Sequence, residues 1–149
     1  MAADRNARIV TDDEGRAKAG SQQDGADGAA PLIDHDRFEQ IMGFCLADGG
    51  AELLARLHDD LSRIRRMLPD AFADADPDSD ALSRLSHELI GLAGSFGAER
   101  LHQRARRLNA ALHYGEAANM NDYEQPILVL VDQLLAFVAR RRAAIGAAR

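Results

Sequence analysis

Among the side chains able to do chemistry in this 149-residue chain, His87 has the most unusual surroundings. It lies in Ser86-His87-Glu88-Leu89-Ile90-Gly91-Leu92-Ala93-Gly94-Ser95-Phe96-Gly97-Ala98, a stretch that reads as a helix yet carries glycines four and seven residues after the histidine. A glycine inside a helix costs about 1 kcal/mol relative to alanine, so placing two beside one imidazole calls for a compensating gain. The simplest gain is clearance. With no side chains at Gly91 and Gly94, a bulky partner can bring an electrophile up to the ring Nε2. Imidazole is the side chain that titrates near neutral pH, so a ring nitrogen is available as a nucleophile.

The remaining chemistry-bearing residues are plainer. His35, His58, His102 and His113 read as surface or boundary residues. His102 and His113 are eleven apart and share a helix face, but no acidic pair accompanies them. No two helices carry Glu-x-x-His or His-x-x-x-His pairs facing inward together, so no metal is expected. Neither G-x-x-x-x-G-K-S/T nor G-x-G-x-x-G occurs, so the chain is not expected to phosphorylate itself from ATP. A formal net charge of −6 argues against a nucleic-acid partner, which calls for a basic excess. Cys45 is the single cysteine, so no internal disulfide framework exists and a reducing, cytoplasmic compartment is expected. No apolar run approaches the roughly 20 residues that span a bilayer, and the N-terminus lacks a signal-peptide pattern, so no membrane association is expected.

The elements that must position His87 begin near Pro31. Residues 1–31 are rich in Ala, Asp, Gly, Ser and Gln, with only Ile9 and Val10 as large aliphatics. They read as a disordered tail. Residues 32–149 show helical spacing and no strand alternation. A short helix after Asp34 uses Phe38, Ile41, Met42 and Cys45 and is expected to end at Gly49-Gly50. The next carries the stripe Leu53, Leu57, Leu61, Ile64 and Leu68, with Pro69 expected to kink its end. The run Asp74 to Asp80 reads as a loop in which Asp78 or Ser79 caps a third helix reaching Phe96. A fourth uses Ala98, Leu101, Ala105, Leu108 and Leu112 and closes at Tyr114-Gly115. The last starts between Asp122 and Pro126, uses Ile127, Val131, Leu134 and Val138, and is expected to fade in the arginines at 140–142. The fold class is all-α: an antiparallel four-helix bundle with a short additional N-terminal helix.

At about 100° per residue, Leu85 and Leu89 each sit about 160° from His87, and Phe96 about 180°. His87 therefore points away from the core. Nearest to it on the helix surface are Asp80, Ser83, Arg84, Ile90, Gly91 and Gly94.

His87, Leu89, Gly91, Gly97-Ala98 and Leu101, in register within a helical bundle, resemble the histidine-containing phosphotransfer (HPt) domains of multistep two-component signalling. The resemblance covers roughly residues 32–144. It departs at Ile90, where the family usually has a lysine that holds the phosphoryl group by its charge. Arg84, about 60° to the other side of His87, is the candidate replacement. The resemblance implies that His87 accepts a phosphoryl group from a receiver-domain aspartate and passes it to another receiver. It also implies a phosphoryl carrier without its own ATP site or cofactor, with Mg²⁺ held by the partner receiver. The expected partners are receiver domains of response regulators or hybrid histidine kinases, with the carrier a monomer. Ile90, Gly91 and Gly94 form the expected apolar docking patch and Ser83, Arg84 and Glu88 its polar rim, flanked by Gln103, Arg104 and Arg107. An alternative keeps this surface and drops the reaction: a docking module that binds a receiver or kinase without being phosphorylated. A weaker alternative is a helical adaptor that oligomerises through the Leu53 to Leu68 stripe.

Overall fold

The computed structural model describes residues 30–45, 47–73, 77–115 and 120–148. The expected tail over residues 1–31, with Ile9 and Val10, lies outside the described residues up to residue 29, as do Asp74 to Asp76 of the expected loop. Within the unit Pro31–Arg149, the described residues form α1 (His35–Gly43), α2 (Ala51–Ala71), α3 (Ser79–Phe96), α4 (Glu99–His113) and α5 (Asn121–Ala147). No strand occurs among the described residues. The chain is all-α here, as its apolar spacing predicts.

Asp34 starts α1: its backbone is extended and its carboxylate accepts from the Arg37 N–H at 3.2 Å. Phe38 and Met42, one turn apart, face inward, whereas Ile41 and Cys45 are only half-buried. The helix stops at Gly43, well before the expected Gly49-Gly50. Those two glycines adopt φ of +68° and +89°, and Gly50 leads into α2 rather than closing α1. A side chain at Gly50 would collide with the Met42 methyl. Asp48 takes over the capping of α2, its carboxylate oxygens accepting from the N–H groups of Gly50 at 2.9 Å and Glu52 at 3.0 Å.

The inward stripe of α2 is Leu54, Leu57, Leu61, Ile64, Leu68 and Ala71, and Leu53 stays half-buried at its edge. Steps alternating three and four hold a stripe on one line, whereas Leu53 to Leu57 to Leu61 takes two steps of four and drifts around the helix. The core uses this stripe, which leaves it unavailable for the expected alternative of oligomerisation. Pro69 lies inside α2, which runs two residues further to Ala71.

Asp78 caps α3, its carboxylate accepting from the Ala81 N–H at 3.0 Å, and Ser79 is already helical. Gly97 closes α3 at φ +75°, and α4 starts two residues later. Gly115, at φ +73°, follows the α4 terminus. Beyond the arginines, α5 continues to Ala147. Tertiary contacts hold these last turns. Arg141 pairs with Glu39 at 2.7 Å and lies over the Phe38 ring, and Ile145 packs against the core near Gly49.

The four long helices pack as a ring in the order α2, α3, α4, α5, with α3–α4 and α2–α5 the most extensive pairs. Neighbouring positions show antiparallel packing: the His102 ring stands beside Gly94 and Ser86 meets Asn109 across α3 and α4, while Ile145 of α5 stands beside Gly49, just ahead of α2, and Arg65 meets Asp132 across α2 and α5. Leu61, Ile64, Leu82, Leu89, Leu101, Leu108 and Ile127 are fully buried in the centre. Each contributes about 1.5–3 kcal/mol by leaving water. Helix α1 is tied on by the Asp34 N–H, which donates to the Gly97 carbonyl at 2.7 Å, and by Phe38 against Phe96 and Phe137.

Candidate functional site

Leu82, Leu85, Ser86, Leu89, Ala93 and Phe96 form the buried side of α3. Their spacing leaves His87 exposed on the opposite side. Ser86 is the buried polar residue of this helix; its hydroxyl donates to the Ser83 carbonyl at 2.9 Å and approaches Asn109 Oδ1 on α4 at 3.3 Å. The residue before the histidine is thus held by its own helix and its neighbour. That fixes the rotation of α3 at His87.

The two glycines differ. Gly91 is exposed, and a Cβ added there would meet nothing within 4 Å, so it leaves open space one turn from His87. At Gly94 a Cβ would lie 3.2 Å from His102 Cδ2 and 3.3 Å from its Nε2. The room at Gly94 is therefore taken by a neighbouring ring, which corrects the expectation that both glycines clear a path to Nε2. Only Gly91 does so.

Ser83 and Arg84 are exposed beside His87, and Ile90 is half-buried against the core. Glu88 is not a free rim residue. It accepts from Arg63 of α2 at 2.5 Å, with Asp60 at 3.7 Å from the same guanidinium. The hydrogen bond to Glu88, above all, holds the Arg63 guanidinium above its ordinary pKa, against the opposing pull of burial. Glu88 thus joins α3 to α2.

The Gly94–His102 and Ser86–Asn109 contacts set which side of α4 adjoins the histidine. His102, Arg106, Asn109 and His113 fall at steps of four, three and four and so form one stripe along that side. Arg104 lies about 170° around α4 from the centre of this stripe, Arg107 about 130° and Gln103 about 90°. The structure does not bring Arg104 to His87. Arg106, exposed, belongs to the stripe beside α3, and the register of these contacts sets its Cα about 4 Å further along the bundle axis than that of His87. The stripe's spacing is visible in the sequence, but which flank of α4 meets α3 depends on the register between the helices.

Among the described residues, no group of three His, Cys, Asp or Glu side chains is placed to hold a metal ion. Nor is any helix long and apolar enough to cross a membrane. The arrangement is an exposed imidazole one turn from open space at Gly91, with exposed arginines at Arg84 on its own helix and Arg106 on α4.

Comparison with curated proteins and with solved structures finds no match. The family comparison is positive: residues 50–144, from the residue that opens α2 to the last turns of α5, match the Hpt domain. Helix α1 precedes the matched segment. The chain belongs to the Hpt domain family.

Proposed function

We propose that His87 carries a phosphoryl group between receiver-domain aspartates. Family membership gives the general role, phosphotransfer in two-component signalling by a phosphoryl carrier that interacts with receiver domains of response regulators. The observation that supports His87 as the carrier residue is its exposure on α3 beside the open space at Gly91. In the step proposed, the Nε2 lone pair of a ring protonated on Nδ1 attacks phosphorus of the receiver's acyl phosphate. The Nε2–P bond forms, the P–O bond to the aspartate breaks, and the carboxylate leaves with the electron pair while Nδ1 keeps its proton. In-line positioning and charge neutralisation are what this chemistry demands. The Mg²⁺ that assists it belongs to the receiver, and the carrier works as a monomer in the cytoplasm without a cofactor of its own.

Ile90 favours a second reading, a docking module that binds a receiver or kinase without being phosphorylated, because an apolar side chain stands beside the nucleophile. Incubation with phosphorylated receivers and Mg²⁺, comparing the wild type with His87→Gln, separates the two. An acid-labile, alkali-stable label that disappears in His87→Gln supports the carrier. Failure of labelling by a receiver that demonstrably binds supports the docking module.

A further inference from the structure

We infer that Arg106, reaching across from α4, binds the phosphoryl oxygens on His87 and, with Arg84, supplies the positive charge that Ile90 cannot. The inference rests on His87 as the phosphorylated residue. A phosphoryl group on a surface imidazole brings two negative charges to the α3 face, and a neutralising partner is the main thing such a site must provide. Ser83 and Ile90 offer no charge, and Glu88 is acidic and engaged with Arg63. Two arginines remain. Arg84 is exposed about 60° from His87 on the α2 side. Arg106 is exposed on the other side, in the α4 stripe whose neighbours His102 and Asn109 touch Gly94 and Ser86. Neither arginine has an ion pair or hydrogen bond among the described residues, in contrast to Arg63, Arg65 and Arg141. Packed helix axes about 8–10 Å apart and an axial offset of roughly 4 Å are spanned by a guanidinium and an N-phosphorylated imidazole extended toward each other, and the guanidinium presents a fork of donors that matches phosphoryl oxygens.

The test uses the full chain and phosphoramidate, a small donor that phosphorylates histidine directly: Nε2 attacks phosphorus, the P–N bond breaks and ammonia leaves. Formation and hydrolysis of the phosphohistidine are followed by phosphorus NMR for wild type, His87→Gln, Arg106→Gln, Arg104→Gln and the double variant Arg106→Gln/Ile90→Lys. Arg106→Gln is expected to slow phosphorylation about fivefold and to shift the phosphohistidine resonance, with an unchanged melting temperature. Ile90→Lys restores the rate in that background, whereas Arg104→Gln matches the wild type. A wild type labelled at His87 together with an Arg106→Gln variant of the same rate and resonance overturns the role of Arg106 alone. Absence of label at His87 in the wild type overturns the carrier reading and this inference with it.

Discussion

The imidazole of His102 fills the space beside Gly94: a Cβ built at residue 94 would stand 3.2 Å from its Cδ2. That separation is tighter than ordinary van der Waals contact, so Gly94→Ala must push the ring. The propensity gain of about 1 kcal/mol that alanine brings to a helix interior is then largely offset. Urea denaturation is expected to show Gly94→Ala within about 0.5 kcal/mol of the wild type, and the full gain of about 1 kcal/mol when the same change is made in His102→Ala. Equal gains in both backgrounds would contradict the contact.

Gly91 has no such neighbour. Gly91→Ala is expected to stabilise the domain by about 0.5–1 kcal/mol, raising the melting temperature by a few degrees. Transfer from a phosphorylated receiver is expected to slow, because the new methyl projects into the path of the docking partner. Uptake from phosphoramidate, which needs less room, stays at the wild-type rate. Equal slowing with both donors would place the obstruction at the ring itself.

Gly97 combines a left-handed φ of +75° with close packing, since a Cβ would lie 3.2 Å from the Asp34 carbonyl and 3.3 Å from the Arg37 Cβ. Gly97→Ala is expected to cost about 1–3 kcal/mol, and hydrogen exchange should quicken first in α1, whose Asp34 N–H bonds to the Gly97 carbonyl. A loss spread evenly over all helices would argue against a local latch.

The Arg63–Glu88 pair joins helices, yet each side chain is about two-fifths exposed, at 40% and 41%. Solvent screening limits its value, and Glu88→Ala is expected to cost about 0.5 kcal/mol at low salt. The loss shrinks in 1 M salt, and Arg63→Ala adds little once Glu88 is gone. Additive losses in the double variant would show the two side chains acting separately.

The orientation of His87 was readable because Leu82, Leu85, Leu89 and Phe96 lie in one helix and establish its inward side without reference to anything else. The bundle followed from the same periodicity. What a single helix's pattern does not contain is the register between helices. Arg104 and Arg106 are both arginines on α4, and only the contacts of His102 and Asn109 with α3 separate the flank near His87 from the flank turned away. The same holds for Glu88, a free rim residue by position and an interhelical tie once α2 is beside it. Gly49 and Gly50 carried a turn signal that belonged to the start of α2, because Asp48 rather than a glycine satisfies the first amides there.

Asp78 anchors the start of α3, and from that point the histidine's direction is a matter of counting residues. A one-residue insertion between Ser79 and Ser86 would swing His87 by about 100° toward a neighbouring helix and send a different side chain outward. An insertion in the connection before Asp78 would leave that azimuth untouched. Length variation in this fold is therefore tolerable ahead of the cap and forbidden behind it, so that the eight residues from Ser79 to Ser86 act as a fixed-length spacer.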